Sequence, residues 1–195
     1  IERYNLRHTD YAIVGSKTAR TVWRAKGYEG PLAVIPQFGV DPTIFLPPEK
    51  RRNETPVHIA YVGRLVREKG VDLLLDGLKN LKGNWRVTIL GQGPERERLH
   101  AQARSLDGRV HFLNMMPSTE MPAFYRKVDV LVLPSRSRPN WTEQFGRVLI
   151  EALACGAAVV GSETGEIPYV LEDAGLTFPE NDVVALHTIL DRLIS

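Results

Sequence analysis

The sequence predicts an α/β fold, a doubly wound parallel sheet of the Rossmann-like kind. Two observations support this fold class. Short apolar segments alternate with helical segments along most of the chain, as in consecutive right-handed βαβ units. The apolar segments are also nearly continuous, as in the Val-Leu-Val-Leu run at 130–133. Strands of that kind are typical of a sheet that is covered by helices on both faces.

The individual elements follow from apolar runs, helical spacing and capping residues. Before residue 55 we expect strands at 11–15 and 32–35 and, between them, a helix that Ser16 caps and Gly27 stops. The later strands are expected at 58–63, 85–90, 110–113, 130–134 and 157–161. The later helices are expected at 71–81, 94–104, 119–127, 147–155, 167–171 and 181–193.

Residues 39–54 are rich in proline and charge and include the run Lys50-Arg51-Arg52. That composition is typical of a linker, and we interpret the basic run as solvated. We therefore place a boundary near residue 55, with a domain end and hinge in 1–55 and a ligand-binding domain in 56–195.

Composition and charge exclude several classes of protein. The chain has 195 residues, is 43% hydrophobic and 25% charged, and has a net charge of +2, which is too small to indicate nucleic-acid binding. Its one cysteine, Cys155, allows no internal disulfide and is expected to be a small core residue in a cytoplasmic protein. No apolar run is long enough to span a membrane. The five histidines have no metal-ligand spacing, and His58 and His111 are expected in the core.

Ligands of doubly wound domains bind where strands end and helices begin, so the strand-to-helix loops are the candidate site. In Gly63-Arg-Leu-Val-Arg-Glu-Lys-Gly70, Arg64 and Lys69 flank the start of a helix. A phosphate would gain amide donors, the helix dipole and two cations there. A solvated loop with Arg64 paired to a surface acid explains the same residues equally well.

A second loop, Gly91-Gln-Gly-Pro94, begins like a dinucleotide fingerprint. The third glycine of the fingerprint is replaced by Arg96, and no acidic residue follows about 20 positions later. The loop is therefore equally consistent with ligand contact and with a tight turn that packs helix against strand. Pro94 is expected in the first position of the following helix.

The third loop carries two glutamates. Glu143 precedes a helix, where the dipole favours a carboxylate in any case. Glu151 lies within that otherwise apolar helix, and a buried carboxylate needs a partner. A vicinal diol such as ribose suits Glu151 better than a structural cation. The amides of Gln144, Phe145 and Gly146 would face the same pocket.

These motifs occur in one order: Gly63-Arg-Leu-x-x-x-Lys-Gly70, Gly91-x-Gly-Pro94, Asp129-Val-Leu-Val-Leu-Pro-Ser135, and Glu143 followed by Glu151 eight positions later. The combination resembles the C-terminal, donor-binding domain of retaining glycosyltransferases of family 4, the glycosyl transferases group 1, which have the GT-B fold. The segment Val34-Ile-Pro-Gln-Phe-Gly-Val-Asp41 resembles that family's hinge. Where the family usually has Glu-Gly-Phe-Gly, this chain has Glu143-Gln144-Phe-Gly.

The resemblance implies one half of a GT-B enzyme that transfers sugar from a nucleotide-diphospho-sugar without a metal or other cofactor. It assigns the diphosphate to Arg64 and Lys69, the sugar to Glu143 with the 144–146 amides, the ribose to Glu151, and the base to Asn114 and Met115. Gly63 is a further substrate-binding residue. The acceptor, a glycan or lipid-linked glycan, would bind to a preceding domain. Any contact with the inner membrane surface would also be made by that domain.

Two other functions stay open at this stage. One is a non-catalytic nucleotide-sugar-binding module, or half of a split enzyme. The other is a dinucleotide-dependent oxidoreductase domain, against which the incomplete fingerprint counts.

Overall fold

The computed structural model describes residues 2–36, 38–49 and 55–195. The chain divides into two compact units, Ile1–Gly39 and Val40–Ser195. The linker composition instead suggested a boundary near residue 55. Residues just after Gly39 already belong to the second unit, where the Phe45 ring lies 6.3 Å from that of Tyr125. The basic run Lys50-Arg51-Arg52 lies outside the described residues.

The first unit is a small βαβ arrangement. Strands β1 (Ala12–Val14) and β2 (Leu32–Val34) pair in parallel. Helix α2 (Lys17–Ala25) joins them, and helix α1 (Glu2–Arg7) precedes them. Ser16 caps α2 as expected, because its hydroxyl accepts from the amide of Ala19 at 3.0 Å.

The second unit is built on a six-stranded parallel sheet with the order β5-β4-β3-β6-β7-β8. The strands are β3 (Val57–Val62), β4 (Trp85–Leu90), β5 (Val110–Leu113), β6 (Val130–Leu133), β7 (Ala158–Ser162) and β8 (Leu176–Phe178). Successive strands first run outward from β3 to β5 and then restart on the other side of β3 with β6. The sheet therefore has a topological switch point between β3 and β6, where doubly wound folds bind their ligands.

Helices connect the strands and flank the sheet. They are α3 (Val71–Gly77), α4 (Arg96–Ala103), α5 (Met121–Tyr125), α6 (Arg147–Ala154), α7 (Ile167–Leu171) and α8 (Val183–Ile194). Helix α3 packs against α4 and α8, whereas α6 packs against α5 and α7. The predicted fold class is thus confirmed. In the described parts of the chain, none of the helices combines the length and hydropathy that a membrane span requires.

The core lies on both faces of this sheet. All four residues of β6 are buried, as the Val-Leu-Val-Leu run predicts. His58 is also buried, and its ring nitrogens lie 2.7 Å from the carbonyl of Lys127 and 2.8 Å from the hydroxyl of Thr88. The expectation for His111 is wrong, because β5 is an edge strand and this side chain is exposed.

Four element predictions need correction. Helix α1 lies before residue 11, where no element was expected. Strand β8 was missed, since its three residues are too few to give a pattern. Helix α3 ends at Gly77 rather than near residue 81. Pro94 is not in the first helical position, because α4 begins at Arg96 after a turn.

Candidate functional site

Two loops meet at the switch point of the sheet: residues 63–70 after β3 and residues 134–146 after β6. The amide of Arg136 donates to the carbonyl of Glu68 at 2.7 Å and ties them together. Gly70, at φ 64°, allows the close approach, because a Cβ there would lie 1.9 Å from the carbonyl oxygen of Pro134. Only glycine fits at this position, so the spacing of the two loops is fixed by the backbone.

The centre of the site is an ion pair between the two loops. The Lys69 ammonium lies 2.5 Å from a carboxylate oxygen of Glu143, and the Ser135 hydroxyl donates to the same oxygen at 2.9 Å. Only 16% of the Lys69 side chain and 10% of the Glu143 side chain are exposed. The ammonium also lies 5.1 Å from the centre of the Trp141 ring. The structure therefore brings together two residues that are 74 positions apart.

The segment at and after the end of β7 holds the backbone of Glu143 and of Ser135. The amide of Glu166 donates to the backbone carbonyl of Glu143 at 3.0 Å. The carbonyl of Ser135 in turn accepts from the hydroxyls of Ser162 and Thr164, at 2.6 and 2.9 Å. The end of β7 and the loop after it thus fix the backbone of both Glu143 and Ser135, a preorganisation that binding sites need.

The start of helix α6 follows Glu143 directly. Gly146 is the buried N-cap residue, Phe145 is half-buried and Gln144 is exposed. Within the described parts of the chain, the backbone amides of Gln144 and Gly146 have no hydrogen-bond acceptor. With the positive end of the helix dipole, they form a set of donors suited to oxygen atoms of a ligand.

Arg64 differs from Lys69 in its surroundings. Its side chain is exposed and has no ion pair with any described residue, so no surface acid explains it. Its position next to Gly63 is fixed because the Tyr61 hydroxyl donates to the Arg64 carbonyl at 2.8 Å. Burial, with Glu143 as the next largest cause, raises the pKa of Tyr61 above its ordinary value of 10.

The glycine loop after β4 packs against the loop after β3. A Cβ on Gly91 would lie 1.9 Å from the carbonyl oxygen of Gly63. The amide of Leu65 donates to the carbonyl of Gln92 at 2.8 Å, and the amide of Glu95 donates to the carbonyl of Leu65 at 3.1 Å. These contacts explain the two glycines by close packing, the alternative that the sequence left open.

Glu151 is buried, as its apolar helix predicts, and both of its carboxylate oxygens have partners. Arg147, one turn earlier on α6, lies 2.7 Å from one oxygen. The hydroxyl of Tyr125 on α5 donates to the other at 2.9 Å. Burial, with the Glu151 charge as the next cause, raises the pKa of Tyr125 above its ordinary value. Arg147 is thus the structural cation that the sequence reading did not identify.

Asn114 and Met115 follow β5, the edge strand. Both are exposed, Met115 to 52%. The Arg96 guanidinium donates to the carbonyl of Gly91 at 2.9 Å and lies 5.8 Å from the Phe112 ring centre. An apolar and aromatic surface therefore lies at the carboxyl end of this strand, beside the glycine loop.

The sequence reading missed the partners that satisfy the two glutamates: Ser135, Tyr125 and Arg147. For Arg147 the signal was its i,i+4 spacing to Glu151. Nothing in the sequence pairs Tyr125 with Glu151.

Cys155 is buried as expected, and burial raises the pKa of its thiol. In residues 2–36, 38–49 and 55–195 no three His, Cys, Asp or Glu side chains group as a metal site would need.

Comparison with known proteins identifies the family. Residues 43–195 match the family model "Glycosyl transferases group 1". The chain belongs to this family. Its parallel sheet with flanking helices is the Rossmann-like half of a GT-B fold, as the resemblance implied.

Two curated relatives show the range of the family. The chain is 32% identical over 186 residues to the GDP-mannose-dependent alpha-(1-6)-phosphatidylinositol monomannoside mannosyltransferase of Mycolicibacterium smegmatis, covering 85% of this chain and 48% of that protein. It is 31% identical over 180 residues to the D-inositol 3-phosphate glycosyltransferase of Corynebacterium efficiens, covering 78% and 41%. The chain thus spans less than half the length of these relatives.

A solved structure shows the same fold. The Alr3699/HepE protein of Anabaena, crystallised with UDP and glucose, superposes with a TM-score of 0.81 at 22% identity. The match covers 99% of this chain and 55% of that one. The oxidoreductase alternative is set aside by the family match.

Proposed function

We propose that this chain is the donor-binding half of a retaining, metal-independent glycosyltransferase. It binds a nucleotide-diphospho-sugar, and the sugar passes to an acceptor held elsewhere in the enzyme. The observation that carries the proposal is the Lys69–Glu143 ion pair at the switch point, next to the amide donors at the start of α6.

The pair places a cation and a carboxylate where a nucleotide sugar needs both. Departure of a nucleoside diphosphate concentrates negative charge on its terminal phosphate, and fixed positive charges lower that barrier. An ammonium has three N–H donors, so Lys69 can keep one on Glu143 and give others to phosphate oxygens. Arg64, exposed and free of described ion pairs, adds a planar fork for a second phosphate contact.

The sugar belongs on the Glu143 side of the site. A carboxylate accepts hydrogen bonds from sugar hydroxyls, and the oxygen of Glu143 that does not contact Ser135 is available for them. The amides of Gln144 and Gly146 serve sugar or phosphate oxygens from the helix end. Arg64, Lys69 and Glu143 are therefore the residues assigned to the chemical step.

The nucleoside occupies the remaining positions. Glu151 takes the ribose diol, since each of its oxygens can accept a further hydrogen bond beyond those from Tyr125 and Arg147. Asn114 and Met115, exposed at the end of β5, lie against the base. The Mycolicibacterium relative is GDP-mannose-dependent and the Anabaena structure contains UDP, so both bases belong in a binding screen.

Retention and metal independence come from the family resemblance. The physical support for metal independence is that Arg64 and Lys69 supply the positive charge that a divalent ion would otherwise provide. Retention is tested by NMR of the product anomer, and metal independence by donor titration with and without EDTA. Inversion of the anomeric centre, or binding that requires Mn²⁺, would contradict these parts of the proposal.

The acceptor, a glycan or a lipid-linked glycan, is assigned to a preceding domain of the whole enzyme. Transfer needs the acceptor hydroxyl against the anomeric carbon, and such positioning is worth about 7–11 kcal/mol of barrier. We expect this chain alone to bind donor without turnover. We place the protein in the reducing cytoplasm, which the single cysteine suggests. Any peripheral contact with the membrane would be made by that other domain.

The decisive experiment is calorimetric titration with UDP, GDP and ADP, each free and as a nucleotide sugar, and with NAD. Glu151→Gln should weaken binding of the free nucleotide about as much as that of the sugar conjugate. Glu143→Gln should leave free-nucleotide affinity nearly unchanged and remove the gain due to the sugar. Equal effects of both substitutions on free nucleotide, or preference for NAD, would overturn the assignment.

A further inference from the structure

A second polar pocket lies outside the residues assigned to the donor. It has a volume of about 320 Å³ and is lined by Arg67, Asp72, Arg98, Arg136 and Arg138. These residues come from the loop after β3, the first turn of α3, helix α4 and the loop after β6. A volume of this size is at the lower end of the range of small-molecule sites, about 300–1,000 Å³.

The charges around this pocket do not balance. Asp72 lies 2.9 Å from Arg136 and 3.9 Å from Arg98. Glu95, beside the pocket, lies 2.5 Å from Arg98 and 3.5 Å from Arg67. Three guanidinium groups thus share two carboxylates and Arg138 contacts neither, so the four arginines exceed these two carboxylates by two positive charges.

Two of the arginines have unused hydrogen-bond donors. The Nε atom of Arg136 is buried and has no acceptor among the described residues, although 16% of the side chain is exposed. A buried donor without a partner is uncommon in folded proteins. Arg138 has no ion pair with any described residue; only its backbone is bonded, to Trp141.

We propose that this pocket binds a phosphate or diphosphate group. Arginine side chains bind tetrahedral oxyanions through paired N–H donors, and several of them on separate elements can surround one anion. A singly charged carboxylate would leave one of the two positive charges unbalanced, whereas a phosphate group with two negative charges compensates both.

This pocket is separate from the proposed donor site. Neither Arg64, Lys69 nor Glu143 lines it, and the Lys69 ammonium is held by Glu143 instead. The phosphate group would therefore be a second one, bound together with the donor nucleotide. It is either a free anion or part of a larger molecule such as a phosphorylated acceptor.

The test is calorimetric titration of the 195-residue chain with inorganic pyrophosphate, with and without saturating UDP. We expect pyrophosphate to bind in both cases. Arg138→Gln and Arg98→Gln should each weaken it about tenfold or more, the usual effect of losing a charged hydrogen bond. Arg138 is exposed and 47% of the Arg98 side chain is exposed. Thermal unfolding verifies that the variants are folded.

Two control variants make the result specific. Arg86→Gln removes the same charge at the amino end of β4, away from the pocket, and should leave pyrophosphate affinity unchanged. With UDP saturating, the donor site is filled and pyrophosphate reports on the second pocket alone. Arg64→Met should then weaken UDP and spare pyrophosphate, so failure of the donor assignment is distinguishable from failure of this one. Absence of pyrophosphate binding at saturating UDP, or equal losses in Arg86→Gln, would overturn the inference.

A second titration with geranyl diphosphate identifies the source of the phosphate. Binding at least as tight as that of pyrophosphate supports a diphosphate carried on a larger molecule. Binding of pyrophosphate alone supports a free anion. In both cases the Arg138→Gln variant must lose affinity for the inference to stand.

Discussion

The two glutamates of the predicted site lie in regions that satisfy a buried carboxylate in different ways. Glu143 is held by Lys69 and Ser135, which come from two separate loops at the carboxyl edge of the sheet. Glu151 is held by Arg147 on its own helix and by Tyr125 on the neighbouring one. The first carboxylate depends on a loop–loop contact, whereas the second is supported by helix packing.

The difference indicates which region the ligand alters more. At Glu143 the partner cation is itself a proposed donor contact, so binding redistributes its hydrogen bonds. At Glu151 the partners are structural, and the exposed Arg147 can move without disturbing the core. The four substitutions and conditions below test this contrast, in order of expected effect.

Lys69→Met should have the largest effect on stability. It leaves Glu143 buried without its cation, and breaking such a pair costs about 3–5 kcal/mol. The double substitution Lys69→Met/Glu143→Gln should recover a large part of the loss. Urea unfolding measures both.

The matched control is Arg64→Met, which removes an exposed charge with no described partner. It should change the free energy of unfolding by less than about 0.5 kcal/mol. If Lys69→Met and Arg64→Met unfold at the same urea concentration, the Lys69–Glu143 pair does not stabilise the loops.

Tyr125→Phe should lower the free energy of unfolding by about 1–3 kcal/mol, because a buried acceptor on Glu151 loses its donor. Tyr61→Phe is the comparison, since its hydroxyl donates to a neutral backbone carbonyl, that of Arg64, rather than to a charged carboxylate. We expect the smaller loss of about 0.5–1.5 kcal/mol there. The reverse order in urea unfolding would mean that Glu151 is satisfied without Tyr125.

Alkaline pH should destabilise both regions. The pKa values of Tyr61 and Tyr125 are raised above 10 by burial and then by Glu143 and Glu151 respectively. Above pH 10 the unfolded chain releases these protons while the folded chain keeps them, so stability is complete below pH 10 and falls as the pH rises. Each tyrosine contributes a slope of up to about 1.4 kcal/mol per pH unit.

The measurement is urea unfolding of the parent and of Tyr125→Phe at several pH values above and below 10. The variant should lose stability less steeply with pH than the parent does. If the free energy of unfolding of the two proteins falls equally steeply with pH, Tyr125 has the same pKa in the folded and the unfolded chain.

Arg147→Ala should have the smallest effect, about 0.3–0.5 kcal/mol, since 55% of this side chain is exposed and water screens the pair. Nucleotide affinity should stay the same. A stability loss above 1 kcal/mol would place Arg147 in the same class as Lys69, and the contrast between the two regions would disappear.

Much of the fold could be predicted because its signals are local. The apolar run of β6 and the serine before α2 determine a strand and a helix start without reference to the rest of the chain. Where local signals were weak the predictions failed. Strand β8 is too short for a pattern, and the exposure of His111 depends on β5 being an edge strand.

For the candidate site, the sequence supplied residue types and positions but not partners. It placed Arg64, Lys69 and Glu143 in strand-to-helix loops and Glu151 within a helix, as the structure has them. It left open whether Arg64 had an acidic partner and whether Glu151 had a cation. Both questions concern contacts between side chains, which no spacing within one segment specifies except the i,i+4 pair of Arg147.

The sequence by itself determined the parallel doubly wound sheet, the family and the loops that contain the candidate residues, because hydrophobic periodicity, capping and motif order are properties of the chain alone. Only the tertiary structure decided that Lys69 pairs with Glu143, that Tyr125 holds Glu151, and that four arginines from three separate segments line one pocket. The physical reason is distance along the chain. Residues 26 or 74 positions apart meet only when strand order and glycine-tight loop contacts bring them together.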